Sequence, residues 1–424
     1  SFGIQVGDNV RNLMIKGNLI TSGATSAAST AMTGIAISGA STGNVEVRDA
    51  EIGALKFPTA TVFLKKETIL AGPVTVNFGD KDTAEVQATY QSGEGGGTEL
   101  RISTRHMELE NVRALGLGNA PLFDRVKGGS WRGALKFERP EDAAGIWSGD
   151  FELSNTQAAV DGFASPVELQ SATVSAKPER VAVTRMRGKI GTIPFAGDYS
   201  WNADPALPHT FRLQIGAAEI AGIEQLFAPA LVRAGGGVLS RTLGIGNVPP
   251  PPDWLVRRKA EGTISFDALK VVDLAVTATA RLTWSGTSVT LTTTNGKFGE
   301  GSSSGELRVD LSAAAPRYQA TGRVKNLRYK GGALDFDGKA EAEVAGTALL
   351  ASVKAEGTVQ GRNITIPPDL EYRQVRGQLL LHGTPSGVQW TLSELQVEQG
   401  VELLSGEATG QADGKVMVKL GRAP

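Results

Sequence analysis

Between Gly149 and Trp201 apolar and polar residues alternate with a period of two. Phe151 and Leu153 alternate with Asp150, Glu152 and Ser154. Val181 and Val183 alternate with Arg180 and Thr184. Phe195, Tyr199 and Trp201 share one parity, with Gly197 between them. Short alternating runs punctuated by Gly, Pro and Asn predict strands with one apolar face. The same pattern returns near the end of the chain. There Val289 and Leu291 alternate with Thr290 and Thr292, and Val388, Trp390 and Leu392 with Gln389 and Thr391.

The pattern is repeated at fixed offsets. Gly43-Asn-Val-Glu-Val-Arg-Asp-Ala50 matches Gly149-Asp-Phe-Glu-Leu-Ser-Asn-Thr156 position by position. Leu115-Gly-Leu-Gly-Asn-Ala-Pro121 is nearly copied by Leu243-Gly-Ile-Gly-Asn-Val-Pro249, and Gly133-Ala-Leu-Lys-Phe137 by Gly262-Thr-Ile-Ser-Phe266. The last two matches have nearly the same offset, the mark of duplicated supersecondary units. Two stretches switch to helical spacing. Met107, Val112 and Leu115 predict a short helix over about 106–117. Ile220, Ile223, Leu226, Phe227 and Leu231 predict another over about 217–234. Pro249 to Pro252 forms a stiff extended spacer. The expected fold is therefore mostly β: repeated antiparallel β-sheet modules with one or two short helices. The expected divisions are an N-terminal β module (1–97), central β modules with the short helices (98–248), a Pro-rich linker (249–261) and a C-terminal β module (262–424).

Composition narrows the function. The 43 basic and 44 acidic residues nearly cancel, giving a net charge of -1. Nucleic acid, which needs a basic face, is not an expected partner. The absence of cysteine excludes disulfides, thiolate catalysis and cysteine metal sites. The three histidines, His106, His209 and His382, have no second ligand at zinc-type spacing and read as surface or loop residues. Gly116-Leu-Gly118 and Gly244-Ile-Gly246 follow predicted helices, whereas a phosphate cradle needs a strand, a glycine turn and then a helix. They read as helix exits. No nucleophile elbow or phosphate-binding loop is present, so no catalytic residue, metal or cofactor is expected. Glu46 and Glu152, at equivalent repeat positions, suit a solvated outer face. Arg257, Arg258 and Lys259 beside Trp254 suit either a solvated turn or contact with lipid head groups. Trp201, Trp284 and Trp390 would be core in a closed sandwich and would line the groove of an open sheet.

Several stretches together resemble the C-terminal region of AsmA-like proteins, including TamB-type relatives. They are Trp147 to Asn155, Pro166-Val-Glu-Leu169, Val181-Ala-Val183, Phe195 to Trp201, Phe211 to Ile220, Leu226 to Leu231, Gln389 to Val397 and Leu404 to Ala408. The resemblance spans roughly residues 99–424, with a weaker echo before that. It implies elongated, curved β-sheet modules shaped like a taco, whose apolar groove carries phospholipid acyl chains between the inner and outer membranes or supports outer-membrane assembly. It implies a periplasmic location, an inner-membrane anchor outside this stretch of sequence, and envelope proteins as partners. The chain begins at Ser1 without Met or an apolar leader, so an excised piece is expected.

The groove-lining residues expected on this basis are Phe151, Leu153, Val181, Val183, Phe195, Tyr199, Trp201, Val289, Leu291, Val388, Trp390 and Leu392, acting collectively. A phospholipid or other acyl lipid is the expected ligand, and the chain is expected to be non-enzymatic. The rival expectation is a structural or adhesive cell-surface β-solenoid that buries the same face as ordinary core. A glycan-active enzyme would instead need two carboxylates facing each other across a cleft.

Overall fold

The computed structural model describes residues 2–6, 13–16, 19–20, 33–37, 43–52, 55–65, 68–78, 82–93, 95–114, 125–204, 206–231, 250–271, 274–313, 315–329, 331–343, 349–366 and 370–422, with backbone alone before Pro58. The expected mostly-β class is what is found. The described strands fall into two compact units. One comprises Ser1–Ala158 with Glu168–Met186, and the other Ala159–Val167 with Arg187–Pro424.

The first unit holds β1 (Phe2–Val6), β2 (Leu13–Lys16), β3 (Leu19–Ile20), β4 (Thr33–Ile37), β5 (Gly43–Ile52), β6 (Leu55–Lys65), β7 (Thr68–Phe78) and β8 (Asp82–Gln91). It continues with β9 (Gly97–Glu108), β10 (Val126–Lys127), β11 (Ser130–Pro140) and β12 (Ile146–Ala158). β5 to β9, then β11 and β12, pair antiparallel in turn, with β2 and β3 parallel to β5. β13 (Val167–Lys177) belongs almost wholly to this unit, and β14 (Arg180–Ile190) divides at Met186. Many alternating apolar positions of this unit are buried: Val76, Ile102, Trp131, Phe151, Leu153 and Val174 are almost inaccessible, while Phe63, Ile69, Tyr90 and Ile146 stand exposed. Trp131 and Phe151 meet edge to face at 6.1 Å. On the outer side Glu152 accepts from Arg132 Nε, its cross-strand partner, at 2.6 Å.

The second unit holds β15 (Ile193–Asn202), β16 (His209–Glu219), β17 (Lys259–Val271), β18 (Leu274–Ser285), β19 (Ser288–Phe298), β20 (Gly301–Asp310) and β21 (Arg317–Tyr329). β22 (Gly332–Ala342), β23 (Lys354–Ile366), β24 (Leu370–Thr384), β25 (Gly387–Gln399), β26 (Glu402–Gly410) and β27 (Val416–Arg422) complete it. From β17 to β27 each strand pairs antiparallel with the next. β16 and β17 instead run parallel. A parallel step cannot be closed by a tight turn and needs a crossover, which here occupies the chain between Glu219 and Lys259.

That crossover explains two departures from the expected layout. The second predicted helix is present as Ile220–Leu226 and Ala228–Leu231. The stretch expected as a linker instead carries the helix Asp253–Val256 and runs straight into β17. Pro252 precedes the first helical residue, a position where its fixed φ suits the helix start, and Leu255 is fully buried. The chain divides within the expected central module, around 158–187, and not at 249–261. The first predicted helix is described as Leu109–Ala114. Both glycine-rich helix exits, 115–121 and 243–249, lie outside the described residues.

One buried carboxylate anchors the helix Leu109–Ala114. Asp82 accepts from the Glu108 N–H at 2.9 Å and from Asn111 Nδ2 at 2.6 Å, and lies 3.2 Å from His106 Nδ1. Burial pushes its carboxyl pKa up, but these three partners together hold it below the ordinary value. A carboxyl whose pKa is depressed on folding contributes stability above its unfolded pKa and loses it as the pH falls through the folded one. Asp82→Ala is therefore expected to cost about 1–3 kcal/mol at pH 7. Urea unfolding should show the gap between variant and parent closing toward pH 3.

Candidate functional site

Strand side chains alternate between faces, so register decides what each face becomes. In the second unit the register is kept from β16 to β27. One cross-strand row reads Phe211, Gly262, Leu282, Leu291, Leu307 and Ala320, and continues through Ala340, Ala355, Leu381, Trp390, Gly410 and Val416. No polar residue interrupts it. The parallel row beside it includes Ile264, Ala280, Leu379, Leu392 and Ala408. The opposite face carries ion pairs between strands: Arg281 with Glu261, Arg323 with Asp337, Lys339 with Glu356 and Lys419 with Glu407; Arg422 and Glu402 pair on the apolar row's own face, at its last two strands.

The apolar row is only half-buried. Leu282, Leu291, Leu307, Leu381 and Trp390 all retain solvent contact, unlike the sealed positions of the first unit. The row nearer one strand end is closed. There Leu255 packs on Val289, Val309 and Leu311, with Trp254, Trp284 and Tyr318 around it. Arg258 lies over both indoles, 5.4 Å from the Trp254 ring and 5.5 Å from that of Trp284, and donates to the Asp161 carbonyl at 3.2 Å. The helix Asp253–Val256 thus covers one margin of the face and leaves the middle open. Of the basic cluster singled out in the sequence, Arg258 is held between rings and Arg257 faces Asp253 at 3.9 Å.

Glycines shape the centre of the face. Gly305, Gly322, Gly338 and Gly357 are cross-strand partners on four successive strands. A Cβ on Gly338 would collide with the Glu356 carbonyl and the Phe336 ring, and one on Gly357 with the Asp337 carbonyl and the same ring. Phe336 therefore lies against this glycine track. The device recurs where Phe211 covers Gly262 and Trp390 covers Gly410. Aromatic rings over cross-strand glycines restore the packing a bare backbone lacks. Alternate strands also carry an irregularity. Asn326, Asn363 and Glu394 have positive φ in β21, β23 and β25, and register shifts flank the first and last. Such bulges bend and twist a strand locally.

The expected lining residues separate into two groups. Phe151, Leu153, Val181, Val183 and Phe195 are buried. Tyr199, Trp201, Leu291, Trp390 and Leu392 are half-buried on the second unit's apolar face. Val289 belongs to the covered margin under Leu255, and Val388 stands exposed at the end of β25. Tyr199 shares a hydrogen bond of 2.8 Å with His209 Nδ1. His209 is thus a half-buried strand residue and not the surface histidine expected. Burial, with the Arg258 charge, holds its pKa below the ordinary value. Sequence pattern missed Phe211, Leu282, Leu307, Phe336 and Leu381. Their alternation is present in the sequence, but only the register shows that they share one face.

A pocket of about 510 Å³ lies at the start of β16 and β17, lined among others by Thr210, Thr263, Glu261 and Arg281. Its lining holds one carboxylate, already engaged by Arg281. Among the described residues no group of three potential metal ligands occurs, and no helix is long and apolar enough to cross a membrane.

The chain matches no family model, no curated protein and no solved structure.

Two outcomes are expected from the geometry. Gly338→Ala should destabilise the protein by about 1–3 kcal/mol through overpacking. Gly322→Ala, whose nearest neighbour would be the Ser304 carbonyl at 3.7 Å, should stay within about 0.5 kcal/mol; urea midpoints measure both. The second concerns Glu224, buried on the helix Ile220–Leu226. Burial raises its pKa, so its contribution is intact below the ordinary carboxyl range and is lost as the pH rises through the raised value. Thermal melts should therefore show Glu224→Gln more stable than the parent at pH 8 and equal to it at pH 4.

Proposed function

We propose that the second unit binds the acyl chains of lipids along its apolar face, and that the protein moves or organises lipids in the bacterial envelope without chemical conversion. The observation that carries this is the unbroken apolar row from β16 to β27 whose side chains remain half-buried. Leaving such a row in water is unfavourable by about 25 cal/mol for each Å² of apolar surface. A lipid tail removed from a bilayer loses about 0.8 kcal/mol for each exposed methylene. The row and the tail remedy each other's exposure over the whole length of the strand series. The charged opposite face keeps the sheet soluble while its inner face is occupied.

The resemblance to AsmA-like proteins supports the same proposal and supplies its setting: the periplasm, a membrane anchor elsewhere in the protein, and exchange between inner and outer membranes. Apolar rings packed against glycines favour a sliding ligand over a fixed one, because they offer few specific polar contacts. The structural alternative has its own support in the first unit, where the same alternation forms closed core at Ile102, Trp131 and Phe151.

Native mass spectrometry with lipid extraction, on protein purified from bacterial periplasm, separates the two. Co-purifying phospholipid is expected, and it should be lost in Leu291→Asp and Trp390→Asp variants whose circular dichroism is unchanged. Val183→Asp, at a buried position, should instead impair folding. A lipid-free, well-folded parent protein would sink the proposal and leave the structural reading.

A further inference from the structure

Side chains with an apolar body and a polar tip gather at one end of the second unit's apolar face. One cross-strand row reads Trp201, His209, Ala260 and Trp284, from β15 to β18. Beside it Tyr199 faces Phe211, the head of the long apolar row. The Tyr199 hydroxyl and His209 Nδ1 share a hydrogen bond of 2.8 Å, and the two rings stack with centroids 6.0 Å apart. Arg258, which leads into β17, reaches the same face. Its guanidinium lies 5.5 Å from the Trp284 ring and 5.4 Å from the Trp254 ring. Tyr199, His209, Arg258 and these indoles are all half-buried, so none is sealed from solvent. From Leu282 to Val416 no ionisable side chain stands in the apolar row. The row is thus bordered by polar tips at one end and apolar beyond, the same division that a lipid has between head and tail. Trp and Tyr suit such a boundary, where one end of the ring is apolar and the other wet.

We propose that Arg258, His209 and Tyr199 hold the phosphate of a phospholipid head group, with the acyl chains laid along the row from Phe211 toward β27. This rests on the lipid-binding reading and adds to it a docking point and a direction. A phosphate turns oxygens in several directions and accepts from several donors at once. The guanidinium offers a planar fork of N–H donors that matches it. When the Tyr199 hydroxyl donates to Nδ1, the neutral imidazole keeps its proton on Nε2, where an acceptor can take it. When His209 gains a second proton, Nδ1 donates to the phenol oxygen, and both groups then donate to the anion. Hydrogen bonds to an ionised group are about twice as strong as neutral ones. The indoles against Arg258 hold its guanidinium by cation–π attraction, so less side-chain freedom is lost on binding. Burial first, and the Arg258 charge second, keep the His209 pKa below its ordinary value. An anion beside the ring opposes the second effect and draws that pKa up. A neutral diacylglycerol brings the same chains but leaves this end of the face unmatched.

The test uses the full chain and an uncharged reporter, the methyl ester of an anthroyl-labelled stearate. The competitors are dioleoyl phosphatidic acid and dioleoylglycerol, which has the same chains and no phosphate. The phosphatidic acid should bind about tenfold more tightly. His209→Phe keeps a ring and removes both nitrogens, and Arg258→Gln removes the charge; each should bring the ratio to about threefold or less. Imidazole nitrogen NMR gives a second reading, because the chain holds only 3 histidines. Dihexanoyl phosphatidic acid should move the His209 signals and raise their titration midpoint, leaving those of His106 and His382 in place. Inorganic phosphate at the same concentration should move none. Equal affinity for the two lipids, or a preference that survives both variants, overturns the inference while leaving lipid binding standing. A His209 shift as large with inorganic phosphate as with the lipid overturns the head-group assignment in favour of free phosphate. If the reporter itself fails to bind, the lipid-binding reading fails and the docking point with it. Should Arg258→Gln not fold, His209→Phe decides alone.

Discussion

Strand pairing in constant register is the constraint on which the second unit depends. A one-residue slip anywhere between β16 and β27 would turn every following side chain to the opposite face. The apolar row from Phe211 to Val416 would then break and exchange places with the ion pairs at Arg323–Asp337 and Lys339–Glu356. The register survives several irregularities. Where β19, β21 and β25 shift their pairing, residues beyond the shift still meet apolar partners, as Leu327 meets Leu334 and Leu395 meets Gly406. Bulges therefore bend the sheet without disturbing the sorting of its faces.

Within that sheet, exposure divides the molecule by role. In the first unit the alternating residues around Ile102, Trp131 and Phe151 form closed core, and Asp82 holds a helix in place with a buried, fully engaged carboxylate. In the second unit the same alternation is left half open. The parallel step at β16 and β17 introduces the only described crossover with helices on it, and that crossover covers one margin with Leu255 and Trp254. It also brings the unpaired Glu224 against apolar residues. The closed margin arises from that single topological feature.

Much of the fold is legible in the sequence because strand alternation and glycine punctuation are local signals. The strands at 151–153, 181–183, 195–201, 289–291 and 388–392 all lie where the alternation puts them. The break at Pro249–Pro252 is harder to interpret. A proline run marks an extended stretch, yet it does not say whether the residues after it pack. Leu255 shows that they do. His209 likewise reads as a loop residue until its partner Tyr199 and its place in β16 are known.

The amino-acid sequence by itself determined that this protein is built of one-sided strands, that its units repeat, and that cysteine chemistry is closed to it. Those properties depend on residue type and short-range spacing alone. Only the tertiary structure decided which one-sided strands bury their apolar face and which leave it half open. Phe151 and Leu291 sit in the same kind of alternating run, but burial depends on what the rest of the chain lays over each. Alternation specifies a face, and long-range packing specifies what covers it.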